Sequence, residues 1–121
     1  MITLKSFGFK YGRPESNFVF DVSYLPNPWR DKDIRECKDK ATQTKMIWKF
    51  VNKDDRFLSI ANGIGNCISR YYKAFPNENL VVGICCSAGE YRSPIIVELV
   101  QKALRDSHID SKIEQSKNSK L

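Results

Sequence analysis

No run in the 121 residues is long and apolar enough to cross a membrane, and the opening MITLKSFGFKYG has no apolar signal-peptide core. Both absences lead us to expect a cytoplasmic protein. Histidine occurs once. The four cysteines, Cys37, Cys67, Cys85 and Cys86, stand at spacings that suit neither paired CxxC zinc knuckles nor a disulfide framework. Free thiols in a reducing compartment are the expectation, with no metal and no cofactor. No glycine-rich Walker loop occurs, so ATP binding of that kind is not expected. Internal repeats and low-complexity blocks are also missing.

What is present is an ordinary globular composition, 41% hydrophobic and 28% charged, in a length that suits one domain. Lysine and arginine number 20 against 14 aspartate and glutamate, a formal net charge of +6. That excess favours an anionic partner, either a phosphorylated metabolite or nucleic acid.

Hydrophobic periodicity divides the chain. MITLKSFGF alternates as a strand and breaks at KYGRPES; NFVFDV reads as a second strand. The prolines of SYLPNPWRD exclude regular structure there. Met46, Ile47, Phe50 and Val51 line one helix face. Phe57, Ile60, Ala61, Ile64, Ile68, Tyr71, Tyr72 and Phe75 line another, with Gly63 and Gly65 suggesting close packing. LVVGICC suits a strand buried on both faces. A helix through Ile96, Leu99, Val100, Ala103 and Leu104 follows, with Ser93 as its cap and Pro94 at its first position. HIDSKIEQ reads as a last strand. Phe7, Phe9, Phe18 and Phe20 are expected in the core. The order argues a single α/β domain with a mixed or parallel sheet flanked by helices, covering residues 1–114, and a polar, flexible tail over 115–121.

The segment Cys86 to Ser93, CSAGEYRS, fits C-x-x-G-x-x-R-S between the buried strand and the helix. A loop in that position turns successive backbone N–H groups inward, and the helix end adds partial positive charge. Gly89 permits a backbone that other residues resist, Arg92 can fork two donors onto an anion, and Ser87 and Ser93 bring hydroxyls. A phosphate site is expected; the bland alternative is a βα turn with Arg92 paired to Asp21 or another carboxylate. The signature also resembles the loop of cysteine-dependent protein tyrosine phosphatases. That likeness would make Cys86 a thiolate nucleophile and Arg92 its partner, with Asp21 or Asp31 as general acid. Cys85 stands where those enzymes carry histidine, and no WPD stretch occurs.

A wider likeness covers Ser6 to Ile113. SFGFKYG at 6–12, FVFDV at 18–22, LPNP at 25–28 and the C-x-x-G-x-x-R-S loop follow in the order and spacing of the C-terminal domain of the RNase adapter RapZ, and the sequence resembles that family. The resemblance implies an α/β domain that does no chemistry, binds glucosamine-6-phosphate, joins in small-RNA and ribonuclease recognition, and self-associates. It places Cys86, Ser87, Ala88, Gly89, Glu90, Tyr91, Arg92 and Ser93 on the ligand loop. Lys10, Tyr11 and Gly12 join them, with Lys10 as a second cation, and so do Asp21 and Asn27. Lys10 and Tyr11 as solvated turn residues, and Asp21 as an acceptor for proline-loop amides only, are the alternatives. Where the family has a basic or small residue and a histidine in the loop, this sequence has Glu90 and Tyr91; the arginine after the second strand is Ser23. The basic C-terminal stretch is reduced to Lys112, Lys117 and Lys120. The leading expectation is a non-enzymatic domain, a homo-oligomer, that binds a phosphorylated small molecule as a sensor or regulator with RNA or ribonuclease partners. A phosphatase is the alternative.

Overall fold

A computed structural model describes residues 1–121. Strands β1 (Ile2–Gly8), β2 (Phe18–Asp21), β3 (Leu80–Cys86) and β4 (Ser111–Glu114) form one four-stranded sheet in the order β2-β3-β1-β4. Every pairing is parallel, so the choice between a mixed and a parallel sheet resolves to parallel. The register sets Leu4 beside Val82 and Gly8 beside Cys86. Side chains alternate across a sheet, so Ile2 and Leu4 of β1 join Leu80, Val82 and Ile84 of β3 in the main core. The run LVVGICC is buried along almost its whole length, as expected of a central strand.

The connection from β1 to β2 carries no α-helix and crosses β3 on the face opposite the core. Asn17 exchanges hydrogen bonds with Val81: its backbone N–H donates to the Val81 carbonyl and its side-chain oxygen accepts the Val81 N–H, each at 2.8 Å. Gly83 lies under this crossing, where a Cβ would stand 3.0 Å from the Phe7 ring and 3.3 Å from the Ser16 hydroxyl.

The helices are α1 (Lys32–Glu36), α2 (Lys40–Asn52), α3 (Asp55–Ala74) and α4 (Arg92–Asp106). Aspartates 31, 39 and 54 cap the first three, each accepting backbone N–H groups of the first turn. Helix α4 packs on β1, β3 and β4, and α3 packs on α4. A helix resting on another helix buries a narrower stripe than one lying on a sheet. Phe57, Ala61, Ile64 and Ile68 are accordingly buried, whereas Ile60, Tyr71 and Phe75 of the same apolar pattern are exposed. Phe9 is exposed too, and Phe7 is buried outside the main cluster; Phe18 and Phe20 pack partly against it.

Two local expectations shift. Helix α4 starts at Arg92, so Ser93 is not its cap: the Ser93 hydroxyl turns inward to the Phe7 carbonyl instead. The proline segment holds one 3-10 turn, Pro28–Arg30, which Asn27 caps through the Trp29 N–H. Only one of the two α3 glycines is closely packed. A Cβ on Gly65 would lie 3.2 Å from Ala103 Cβ, while one on Gly63 would meet nothing. Gly63→Ala is therefore expected to raise stability by about 0.5–1 kcal/mol in urea unfolding. Gly65→Ala should gain less or lose, and equal gains at both sites would contradict this packing.

Candidate functional site

Because all strands run the same way, the segments leaving their C-terminal ends share one rim, where ligands collect in open α/β sheets. The loop Ser87–Tyr91 between β3 and α4 sits there against the end of β1. Gly89 has φ +72°, and a Cβ on it would stand 2.7 Å from the Gly8 nitrogen and 2.8 Å from the Ser116 hydroxyl. A Cβ on Gly8 would meet the Ala88 carbonyl carbon at 2.3 Å. Two glycines thus let two backbones touch. No protein acceptor takes the backbone N–H of Ser87, Ala88, Gly89, Glu90, Tyr91 or Arg92. Successive unpaired amides at a helix start are the elements of an anion cradle.

Arg92, the first residue of α4, reaches back across this loop. Its Nη1 donates to the carbonyls of Ser23 and Leu25, the latter at 3.3 Å, and its Nη2 donates to the Ser87 hydroxyl at 3.2 Å. Its Nε is buried without a partner. Asp21, the carboxylate weighed as its mate, instead accepts the Ser23 N–H at 2.9 Å. The guanidinium charge is therefore hydrogen-bonded but not neutralised by an ion pair. Ser93 sits beneath the loop, fully buried. Its N–H donates to Cys86 Sγ at 3.4 Å, the Cys86 thiol donates to the Ser93 hydroxyl at 3.3 Å, and that hydroxyl donates to the Phe7 carbonyl at 3.4 Å. Cys86 is only 2% exposed, and its Sγ is turned inward onto Ser93. The neighbouring Cys85 faces the other side of the sheet. Burial first, and the Asp21 carboxylate second, push its thiol up to about 11, so it stays protonated at neutral pH.

The remaining sequence-predicted residues reach the rim in different ways. The Lys10 N–H donates to the Ser87 carbonyl at 3.3 Å, tying the Phe9–Tyr11 turn to the loop. Its ammonium lies over the Tyr11 ring, 5.5 Å from the centroid. Tyr11 and Gly12 line a groove with Gly8, Arg13, Ser116 and Lys117, beside the end of β1. Asn27 spends its side chain on the turn cap. Tyr91 is buried and its ring stacks on Trp29 at 5.9 Å and 15°. Burial first, and Glu90 second, raise the Tyr91 hydroxyl.

Sequence reasoning did not single out Gly8, Ser6, Trp29, Ser116 or Lys120 as parts of this region. Residues 115–121 run back along the rim. The Ser116 N–H donates to Ser6 Oγ at 2.8 Å, the Gln115 amide to the Pro94 carbonyl at 3.1 Å, and the Lys120 N–H to the Glu90 carbonyl at 2.9 Å. Gly8 carried a signal in retrospect, a glycine ending a strand just before a turn. The tail carried none, because its polar composition reads as solvated.

The sequence matches the family described as the RapZ C-terminal domain over residues 1–119. Among curated relatives, a "nucleotide-binding protein" of Neisseria gonorrhoeae is 31% identical over 109 residues, covering 87% of this chain. Proteins of the same description from Thermosipho africanus and Clostridium botulinum are 31% and 34% identical over 89% and 87% of it. The chain spans between 36% and 39% of the length of these relatives. Nearly end to end, the chain belongs to the RapZ C-terminal domain family.

Proposed function

We propose that this domain binds a phosphorylated small molecule, a sugar phosphate such as glucosamine-6-phosphate, on the Cys86–Ser93 loop and does no chemistry on it. One observation carries the reading: a run of backbone N–H groups with no internal acceptor lies beside the unneutralised guanidinium of Arg92. Polar groups in and around a folded interior are nearly always paired, so such a set favours an anion that accepts several bonds at once. The relatives' description speaks of nucleotides. It belongs to proteins more than twice as long, of which the match covers only 36% to 39%, and this chain has no Walker loop to transfer it to. Self-association, and RNA or ribonuclease partners in the cytoplasm, are part of the same proposal and rest on the family alone.

Calorimetric titration with glucosamine-6-phosphate, glucose-6-phosphate and free glucosamine tests it. Both sugar phosphates should bind and glucosamine should not. Silence from both phosphates would remove the reading. The same sample should leave an aryl phosphate intact, since the buried Cys86 thiol is hydrogen-bonded inward and not presented for attack. Turnover that disappears in Cys86→Ser would establish the phosphatase instead.

A further inference from the structure

The loop holds one acidic side chain, Glu90, and the structure shows where its charge goes. Lys120 Nζ lies 3.7 Å from Glu90 Oε2, and the Lys120 N–H donates to the Glu90 carbonyl at 2.9 Å. The same ammonium stands 5.3 Å from the centroid of the Trp29 ring, whose stacking partner is Tyr91, the next residue of the loop. Lys40 bonds the Lys120 carbonyl from α2, and Leu121 packs against the core. Lys120 is thus anchored through its backbone on both sides, touches the loop at Glu90, and meets Tyr91 only by way of the Trp29 ring. A free carboxylate beside a phosphate seat repels the phosphate and attracts an ammonium group; a carboxylate paired with lysine does both more weakly.

We infer that Lys120 sets the ligand preference of the loop by capturing Glu90. The pairing of Glu90 with Lys120 in this chain makes the loop accept phosphate esters without asking for an amine. The inference rests on the phosphate reading above and adds a selectivity residue to it, one that acts through Glu90 and not by touching the ligand.

Two measurements on the full chain test it. Without ligand, the Lys120 side-chain methylene protons next to the ammonium should be shifted upfield by the Trp29 ring current in NMR spectra, and Trp29→Leu should abolish the shift. With ligand, Lys120→Ala should move the ratio of glucosamine-6-phosphate to glucose-6-phosphate affinity toward the amino sugar by about two- to fivefold, the range of a partly exposed ion pair. In a Glu90→Gln background the same replacement should leave the ratio unmoved, and Lys120→Arg should keep the parent ratio. No ring-current shift would mean that the lysine is not seated over Trp29, and the inference fails. A shift present with an unmoved ratio, or a ratio that moves equally with Glu90→Gln in place, overturns only the role given to Lys120. A parent that binds neither sugar phosphate overturns the phosphate reading itself and the preference with it.

Discussion

Gly8→Ala is expected to cost about 1–3 kcal/mol of stability, the range for overpacking a close contact, and to abolish measurable sugar phosphate binding. The added methyl would sit 2.3 Å from the Ala88 carbonyl carbon and 2.6 Å from its oxygen. These are backbone atoms, which cannot rotate away as a side chain can. The Gly8 backbone is ordinary, with φ −99°, so the effect is purely steric and must be relieved by pushing the β3–α4 loop off β1. Gly12 supplies the contrast. Its φ is +106° but a Cβ there meets nothing. Gly12→Ala should therefore lose about 1 kcal/mol through backbone strain and keep its affinity. Urea unfolding and calorimetry on the two variants check this. If Gly8→Ala binds and folds like the parent, the loop is not seated on β1.

Arg92→Ala has the second large effect, on two properties at once. From the sequence, Arg92 reads as a ligand contact whose removal leaves the fold intact. In the structure the same guanidinium also holds the Ser23 and Leu25 carbonyls, so it pins the segment after β2 to the start of α4. Hydrogen bonds to a charged group are worth about 1.5–3 kcal/mol. We therefore expect affinity for a sugar phosphate to fall by one to two orders of magnitude, and stability to fall by about 1–3 kcal/mol as the carbonyls lose their donor. Arg92→Lys should retain part of the affinity, since the charge remains and the fork does not. Stability lost with affinity unchanged would make Arg92 a structural clamp and remove the anion site.

Much of the site was legible in the sequence because its parts are local. A buried apolar run, a glycine needing positive φ, and an arginine entering a helix lie within residues 80–93, and loop, strand and helix followed from them. The motifs SFGFKYG, FVFDV and LPNP named the family, and the match over residues 1–119 bears that out. Other features were illegible because they arise from contacts between segments far apart in the chain. Gly8 matters through Ala88 and Ser6 through Ser116; Lys120 matters through Glu90 and Trp29. Burial on α3 likewise depended on its neighbour: the periodicity of Ile60, Tyr71 and Phe75 is helical, but α4 covers only part of that face.

By itself, then, the sequence determined the α/β class, the positions of the strands, the family and the loop that faces the rim. Those depend on alternation, chain stiffness and short-range backbone geometry, which neighbouring residues settle among themselves. Only the tertiary structure decided that every strand is parallel, that Arg92 binds carbonyls rather than a carboxylate, and that the tail lies over the loop with Lys120 on Glu90. Such pairings are selected by what the folded sheet brings within a few ångströms, and hydrogen bonds and ion pairs act only over that range.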